Sequence, residues 1–161
     1  MGNAYWKGNV KVMRTINEIT ICGDPEVLAP RVFQIASDIQ DWPKILPHYR
    51  YMRILERSES HKLADFGATR DWIPVHWTAW QEIFPDAQRI TFEHVRGVTK
   101  GMFVEWNLEK RADGVVVKID HQLSMPVIGP LFADWLVGKL FVQNIAGKTL
   151  KCIKSQLEAG D

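Results

Sequence analysis

Hydrophobic and polar residues alternate along much of the chain between residues 49 and 124, as they do in strands that bury one face. Turn residues interrupt the alternation at intervals of roughly 10 to 12 residues, which is typical of a meander. The dipeptide Asp113-Gly114 favours a two-residue hairpin turn before the last strand. We therefore predict six antiparallel strands, over Tyr49–Ser58, Lys62–Trp72, Val75–Phe84, Arg89–Arg96, Met102–Ala112 and Val115–Ser124.

The same alternation assigns side chains to the two faces of the predicted sheet. Arg70 lies in an otherwise apolar row, where a buried guanidinium would need a partner; an exposed strand end is the alternative. His121 is predicted to point inward, as a satisfied core histidine or as a catalytic base. Both faces of the Val75–Phe84 strand are mixed, so its inward face stays unassigned. The two clear apolar rows are Met102, Val104, Trp106 and Leu108, and Val115, Val117, Ile119, His121 and Leu123.

One strand and one helix precede the meander. Residues 15–22 alternate enough to predict a first strand. Asp24 then offers a helix N-cap and Pro25 a first helical residue, which predicts a helix that ends at Asp38. Residues 1–14 show no firm period, and we expect a loose lead-in there, followed by a single domain over residues 15–158.

Residues 41–55, DWPKILPHYRYMRIL, join this helix to the meander. Asp41 can cap a short helix, Pro43 fits the first turn of that helix, and Pro47 ends it. The chain then becomes extended, which places Trp42, Leu46 and Tyr49 around one corner. Trp42 and Leu46 fit a gate over a cavity and a plug of the core equally well.

The chain after Pro126 predicts one long helix that ends near Leu157. Apolar residues repeat along it at helical spacing, and Leu136 belongs to that face. Gln143 interrupts the apolar face. A helix that only sealed a core would carry an apolar residue there, so Gln143 faces a cavity or crosses the edge of the sheet.

Composition narrows the classes of function. The chain of 161 residues has a net charge of +1, which gives no long-range field for nucleic acid or an anionic membrane. No apolar run approaches the roughly 20 residues of a membrane span, and the N-terminus lacks a signal peptide, so we expect a cytoplasmic protein without an integral membrane segment. The two cysteines have no metal-binding spacing, and motifs for nucleotides, zinc hydrolysis or serine hydrolysis are missing. We expect neither a metal nor a cofactor.

The order of a strand, two helices, six antiparallel strands and a long helix is that of the helix-grip fold. Three segments fit that order: SDIQDWPKILPHYRYMRIL at 37–55, DG at 113–114 with QLSMP at 122–126, and NIAGKTLKCIKSQLE at 144–158. In these segments the sequence resembles the START and Bet v 1-like (SRPBCC) superfamily and, within it, the polyketide cyclase/dehydrase and lipid-transport group. The resemblance implies an α+β fold with a curved seven-stranded sheet wrapped around the last helix and a cavity between them.

The resemblance implies two classes of function. Tyr49 matches the pocket tyrosine of the aromatase/cyclases, whereas Glu82 stands where their central-strand arginine is expected. A carrier of a hydrophobic aromatic, quinone-like or lipid-like molecule needs no such arginine, so we favour a carrier and leave a homodimer open. Its predicted ligand-binding residues are Trp42, Leu46, Tyr49, Trp80, Trp106, His121, Leu136 and Gln143. The alternative is a polyketide cyclase or dehydratase that uses Tyr49, Arg70, Glu82 and His121 to move protons.

Overall fold

The computed structural model describes residues 2–7, 10–97, 99–126 and 143–160, with side chains for residues 12–97, 99–124 and 143–160. Its frame is one curved antiparallel sheet of eight strands in the order β1-β2-β8-β7-β6-β5-β4-β3. The strands are β1 Gly2–Lys7, β2 Val10–Cys22, β3 Tyr49–Arg57, β4 His61–Arg70, β5 Ile73–Phe84, β6 Arg89–Gly97, β7 Met102–Arg111 and β8 Gly114–Pro126.

Two helices cross from one part of the sheet to its far edge. The sheet order puts β2 beside β8 and β3 at the opposite edge, so the connection between them has to traverse one face. That connection consists of α1 Pro25–Ser37, a 3₁₀ turn Ile39–Asp41 and α2 Trp42–Ile45. The last helix, α3 Gly147–Glu158, packs against β2 and α1. We call the face covered by these helices the inner face.

The sequence predicted both ends of α1 correctly. The carboxylate of Asp24 accepts a hydrogen bond of 2.9 Å from the backbone N–H of Glu26, Pro25 opens the helix, and Asp38 follows its last residue. Side chains from the sheet satisfy its C-terminal end, because the carbonyl oxygen of Ser37 accepts from Lys62 Nζ at 3.2 Å and from a strand glutamine. The helix is thereby held over β4 and β5.

The corner segment has the predicted order of a short helix and then a strand, with one difference at its start. Asp41 makes no capping hydrogen bond with its side chain. Its carboxylate instead accepts from Lys44 Nζ at 2.8 Å, because the preceding 3₁₀ turn runs directly into α2 and leaves no extended cap position. Tyr49 begins β3, as the sequence predicted.

The N-terminal residues differ from the expected loose lead-in. Residues 2–7 pair with residues 10–15, and β2 pairs with β8 along its whole length from Val10 to Cys22. The sheet therefore begins at Gly2 and has one strand more than the sequence predicted. Backbone pairing to a long neighbour holds such a segment without strict alternation of apolar and polar side chains, which explains why periodicity did not reveal it.

The hairpin between β7 and β8 turns one position earlier than predicted. Arg111 pairs with Gly114, so the two turn residues are Ala112 and Asp113 rather than Asp113 and Gly114. Gly114 already belongs to β8 and lies against β2, where a Cβ would come within 2.1 Å of the carbonyl oxygen of Ile21. Close approach of β2, rather than the turn, requires this glycine.

Burial confirms the predicted inner faces of β7 and β8 and decides the face of β5. Trp77, Ala79 and Gln81 are buried on the inner side of β5, so the alternate residues, including Trp80 and Glu82, lie on the outer side. The inner face thus carries the hydrophobic core, which continues onto α1, the corner and α3.

The described part of the predicted C-terminal helix is not regular throughout. Residues 143–146 form a π-helical turn, and α3 follows to Glu158, close to the predicted end. The earlier part of the predicted helix, with Leu136, lies outside the described residues.

Candidate ligand-binding cavity

A cavity lies between the inner face of the sheet, the corner and the start of the last helix. The centre of a water-sized sphere can occupy about 50 Å³ of it. Its walls are mainly aromatic and aliphatic, with a few hydroxyl and imidazole groups among them. They comprise Trp42, Tyr49, Phe66, Trp77, Phe92, His94, Val104, Trp106, Ile119, His121, Ile145, Ala146 and Thr149.

Trp42 is the centre of the aromatic wall. Its ring centroid lies 5.0 Å from that of Tyr49 and 5.9 Å from those of Phe92 and Trp106. Its indole N–H donates a hydrogen bond of 2.8 Å to the carbonyl oxygen of Ile35 in α1. Because this bond satisfies the polar atom of the ring, Trp42 is 2% exposed at no hydrogen-bonding cost and presents apolar surface to the cavity.

A second group of rings extends the wall along β4, β5 and β6. Trp77 stacks on Phe66, with centroids 5.2 Å apart and 7° between the planes, and on His94, at 5.7 Å and 2°. Nδ1 of His94 lies 2.6 Å from the hydroxyl of Thr99, which is also buried. Burial lowers the pKa of His94 to about 3, so this ring is neutral at pH 7.

A short hydrogen-bonded chain ties the last helix to the corner. The hydroxyl of Thr149 donates to the carbonyl oxygen of Ile145 at 2.8 Å, and it lies 2.8 Å from Nε2 of His48. Since the single hydroxyl proton is used toward Ile145, His48 donates from Nε2 to Thr149. Burial lowers the pKa of His48 to about 4, with Lys148 adding to the effect, so His48 stays neutral at pH 7.

Tyr49 lies beside this chain. Burial raises the pKa of its phenol well above the ordinary value. A phenol with a raised pKa remains protonated at neutral pH. Tyr49 can therefore donate a hydrogen bond but does not serve as a base.

His121 differs from the other polar groups of the wall. Its Nδ1 is buried and has no hydrogen-bond partner within the part of the chain that the structure describes. Burial lowers the pKa of His121 to about 4, although the carboxylate of Asp120 acts in the opposite direction. Asp120 points to the other side of β8 and is held by Arg14, whose Nε lies 3.0 Å from its carboxylate. His121 is a neutral imidazole without a satisfied Nδ1.

The structure brings together four of the residues that the sequence proposed for the site: Trp42, Tyr49, Trp106 and His121 all line the cavity. Leu46 is completely buried in the core behind the wall but does not line it. Whether any of these side chains binds a ligand stays a prediction.

Trp80 and Glu82 lie elsewhere, on the outer face of β5, where Glu82 forms an ion pair of 3.2 Å with His61. The mixed residue pattern of β5 did not predict which of its faces is the inner one. Its pairing with β4 and β6 assigns Trp80 and Glu82 to the outer face. Arg70 is half-buried at the end of β4, 4.0 Å from the carboxylate of Asp71, and is not part of the described wall.

Gln143 is exposed and does not contribute to the described wall. The sequence argument extended the helical period of α3 back to this residue. Residues 143–146 instead form a π-helical turn, whose period differs from that of an α-helix. In that turn Ile145 and Ala146 line the cavity, and Gln143 does not. Leu136, the remaining predicted ligand residue, is outside the described residues.

Sequence reasoning missed Phe66, Trp77, Phe92, His94 and Thr149 as parts of the wall. Phe66 stood in the apolar row of its strand, so alternation alone signalled its inward position. Trp77 shares a face with Ala79 and Gln81, and no residue pattern separated that set from the opposite one. Thr149 and His94 required knowledge of which elements meet across the sheet.

A family model for polyketide cyclase / dehydrase and lipid transport matches residues 26–144. The chain belongs to this family. No curated protein matches the sequence. The predicted helix-grip fold is confirmed by solved structures that cover nearly the whole chain.

Three of these structures illustrate the range of the fold. The Zhui aromatase/cyclase from Streptomyces sp. R1128 superposes with a TM-score of 0.78 at 15% identity, covering 91% of this chain and 94% of its own. A STAR-related lipid transfer protein from Xanthomonas axonopodis gives 0.64 at 18% identity and 98% coverage of both chains. Norcoclaurine synthase from Thalictrum flavum, solved with dopamine and hydroxybenzaldehyde, gives 0.72 at 10% identity, covering 95% and 90%. At these identities the likeness establishes the fold alone.

Among the described residues, no helix combines the length and apolar character that a membrane span needs. Within the same part of the chain, no three histidine, cysteine or acidic side chains gather as a set able to hold a metal ion.

Proposed function

We propose that this member of the family binds a compact, uncharged hydrophobic molecule in the cavity and carries it without changing it chemically. The observation that supports this most directly is the character of the wall: among the described residues that line it, none is Asp, Glu, Lys or Arg. A charged ligand would lose its hydration there without gaining a counter-charge, which is strongly unfavourable. An apolar ring gains roughly 1.5 to 3 kcal/mol when it leaves water for such a site.

The size of the cavity supports a compact ligand. One water needs roughly 10 to 15 Å³ of such space, so about 50 Å³ corresponds to a few waters or one small ring. Pockets for drug-sized molecules begin at roughly 300 Å³. A long acyl or polyketide chain would fit only after the wall had moved.

A cyclase or dehydratase activity is the second candidate. The observation in its favour is the proximity of a protonated phenol, Tyr49, and an unsatisfied imidazole, His121, in one cavity wall. Against it, Arg70 and Glu82 are not part of the described wall, so no charged group is placed there to stabilise an oxyanion. A histidine with a pKa of about 4 is also a weak base at neutral pH.

A cavity-filling variant tests the carrier proposal. Val104 lines the cavity, and Val104→Phe adds a ring to the space that a ligand would occupy. Val116, on the other face of β8, provides the matched control Val116→Phe. We expect small aromatic compounds to show saturable binding by calorimetry to the parent protein and to the control, and greatly weakened binding to Val104→Phe.

Circular dichroism of both variants establishes that they are folded. Binding that survives unchanged in Val104→Phe would place the ligand outside this cavity. Incubation with a reactive polyketone separates the two candidate functions: a carrier leaves it no more cyclised than buffer does, whereas turnover that Tyr49→Phe abolishes would establish the enzyme.

A further inference from the structure

The hairpin between β4 and β5 holds a tryptophan in solvent. Trp72 is 85% exposed, whereas the three tryptophans of the cavity wall are at most 5% exposed. Ile73 and Pro74, which follow it, are exposed as well. We call these three residues the tip. Isolated exposed apolar residues are common, but three in succession, led by a nearly bare indole, form an apolar patch that indicates a contact with a partner.

The tip projects beyond the neighbouring strands. Arg70 pairs with Ile73, so the turn has only two residues, and β6 pairs with β5 only from Trp77 onward. The four residues from Ile73 to His76 therefore extend roughly 13 Å past the end of β6. On the other side, β3 pairs with β4 only as far as Ala68. The hairpin is thus a convex projection rather than part of a flat surface.

The turn that carries Trp72 has a fixed geometry. Asp71 has a φ of 54°, in the left-handed region that aspartate tolerates better than most residues. Its carboxylate accepts a hydrogen bond of 3.3 Å from Nζ of Lys148 in α3 and lies 4.0 Å from Nε of Arg70. The hairpin is therefore tied to the first turn of α3, and the exposure of Trp72 belongs to this ordered turn.

Basic side chains are concentrated around the hairpin. Two of them meet the turn and three are exposed at the nearby ends of β3 and β6, and together they are Arg50, Arg70, Arg96, Lys100 and Lys148. The segments 46–53, 66–77, 94–102 and 143–149 contain one acidic residue, Asp71. This end of the sheet therefore carries a local excess of positive charge, although the whole chain has a net charge of only +1.

Shape and charge together favour a lipid surface over a protein as the partner. A protein would need a pocket shaped to receive the projecting ring of Trp72, whereas the headgroup region of a bilayer accommodates such a projection without one. Tryptophan is enriched at membrane–water interfaces, and lysine and arginine near the surface are attracted to anionic lipids. The net charge gives no long-range attraction, so binding depends on the tip and the cations around it.

We propose that the β4–β5 hairpin is a membrane-docking site, at which the tip enters the headgroup region of an anionic bilayer and the surrounding cations bind lipid phosphates. This inference stands on the hairpin alone and does not depend on what the cavity binds. It also suits a carrier, because Lys148 joins the hairpin to α3 beside Thr149 of the cavity wall. Docking therefore brings that wall toward lipid, where apolar molecules dissolve.

Cosedimentation with vesicles tests the site. One set of vesicles contains phosphatidylcholine and phosphatidylglycerol, and the other contains phosphatidylcholine alone. The parent protein is compared with Trp72→Ala, which removes the ring from a position where it supports no packing. Leu55→Ala is the matched control, because Leu55 is also an exposed apolar residue of a strand but lies toward the opposite end of the sheet. The bound fraction at increasing lipid concentration gives the partition coefficient.

We expect the parent protein and Leu55→Ala to bind the anionic vesicles equally well and the neutral vesicles more weakly. Trp72→Ala should bind the anionic vesicles at least about tenfold more weakly, because the ring no longer leaves water. Arg96→Gln should weaken binding at least about twofold, and Arg57→Gln, an exposed arginine at the other end of the sheet, should not. Added salt should weaken binding of the parent protein.

A measurement on the parent protein covers a misfolded variant. Iodide in solution quenches exposed tryptophan, and anionic vesicles should protect that part of the emission from iodide. Unprotected emission, no binding to anionic vesicles, or equal binding of Trp72→Ala and the parent protein would overturn the docking site and leave the cavity function untouched. Binding to polyglutamate but not to vesicles would assign the tip to an acidic protein instead. A lipid-free dimer that Trp72→Ala dissociates would assign it to a second copy of the chain.

Discussion

The two faces of β5 differ sharply in the groups that they carry. On the inner face, Trp77 stacks between two rings and belongs to an uncharged cavity wall. On the outer face, one residue further along, Thr78 bonds to the carboxylate of Asp65 at 2.6 Å, and Glu82 pairs with His61. The same strand thus serves an apolar cavity and a charged surface.

The side of the sheet that a residue faces therefore determines whether its side chain meets charged groups or the apolar cavity. Acidic and basic groups, which a proton-transfer enzyme would use, are found on the outer side of β5. The inner face of the sheet carries His94 on β6 and His121 on β8, whose pKa values burial has lowered.

The largest expected effect is on stability at the inner face. Phe66→Ala removes a ring that is 1% exposed and lies 6.1 Å from Trp42, between centroids. We expect it to lower the free energy of unfolding by about 3 to 5 kcal/mol, as for other buried aromatic residues. Trp80→Ala on the outer face removes a larger but half-buried ring and should cost clearly less. Guanidinium unfolding measures both, and equal losses would erase the distinction between the two faces.

The second prediction concerns Leu46, which lies under the corner. It is fully buried and does not line the cavity, so it has the position of a core plug. Leu46→Ala should lower the free energy of unfolding by about 2 to 5 kcal/mol and leave the association and dissociation rates of a bound aromatic probe unchanged. Stopped-flow fluorescence measures those rates. Altered rates with little loss of stability would show instead that Leu46 forms a gate.

The third prediction is a pH dependence of stability that arises from His48, His94 and His121. Burial holds the pKa of His48 and His121 at about 4 and that of His94 at about 3, below the ordinary 6.5 that the unfolded chain restores. The unfolded state therefore binds more protons below pH 6.5. Stability is full above that pH and falls as the pH drops toward 4, by about 2 kcal/mol for each of these residues at pH 5.

Urea unfolding at pH 7 and pH 5 measures this dependence. His76→Gln, at an exposed position, is the control and should keep the whole pH dependence. His94→Gln should reduce it. A free energy of unfolding that is the same at both pH values would show that the three rings are not held neutral by burial.

The smallest expected effect compares two threonines. Thr149→Val removes the hydroxyl that links His48 to the last helix and should cost about 1 to 3 kcal/mol, because a buried imidazole N–H is left unpaired. Thr78→Val removes the bond to half-buried Asp65 on the outer face and should cost about 0.5 to 1.5 kcal/mol, since the carboxylate can turn to water. Thermal unfolding ranks the two variants. The reverse order would contradict the assignment of Thr149 to a buried hydrogen bond with His48.

Local patterns in the sequence were enough to predict most of the strands and helices and much of the inner face. Alternation located seven of the strands, β2 to β8, and the inward rows of β7 and β8, and capping chemistry at Asp24 and Pro25 located α1. These features depend on interactions between residues close in the sequence, so a short stretch of sequence is enough to predict them. The corner residues Trp42 and Tyr49 were brought to the cavity for the same reason, because a short helix followed directly by a strand fixes their relative positions.

Features that depend on residues distant in the sequence could be assigned only from the folded structure. The inner side of β5 followed from its pairing with β4 and β6, which put Trp77 in the wall and Trp80 and Glu82 outside it. Gly114 had the sequence of a turn residue and is required instead by the backbone of β2, more than ninety positions away in the chain. The lowered pKa values of His94 and His121 arise from burial in the folded protein, which depends on elements distant in the sequence.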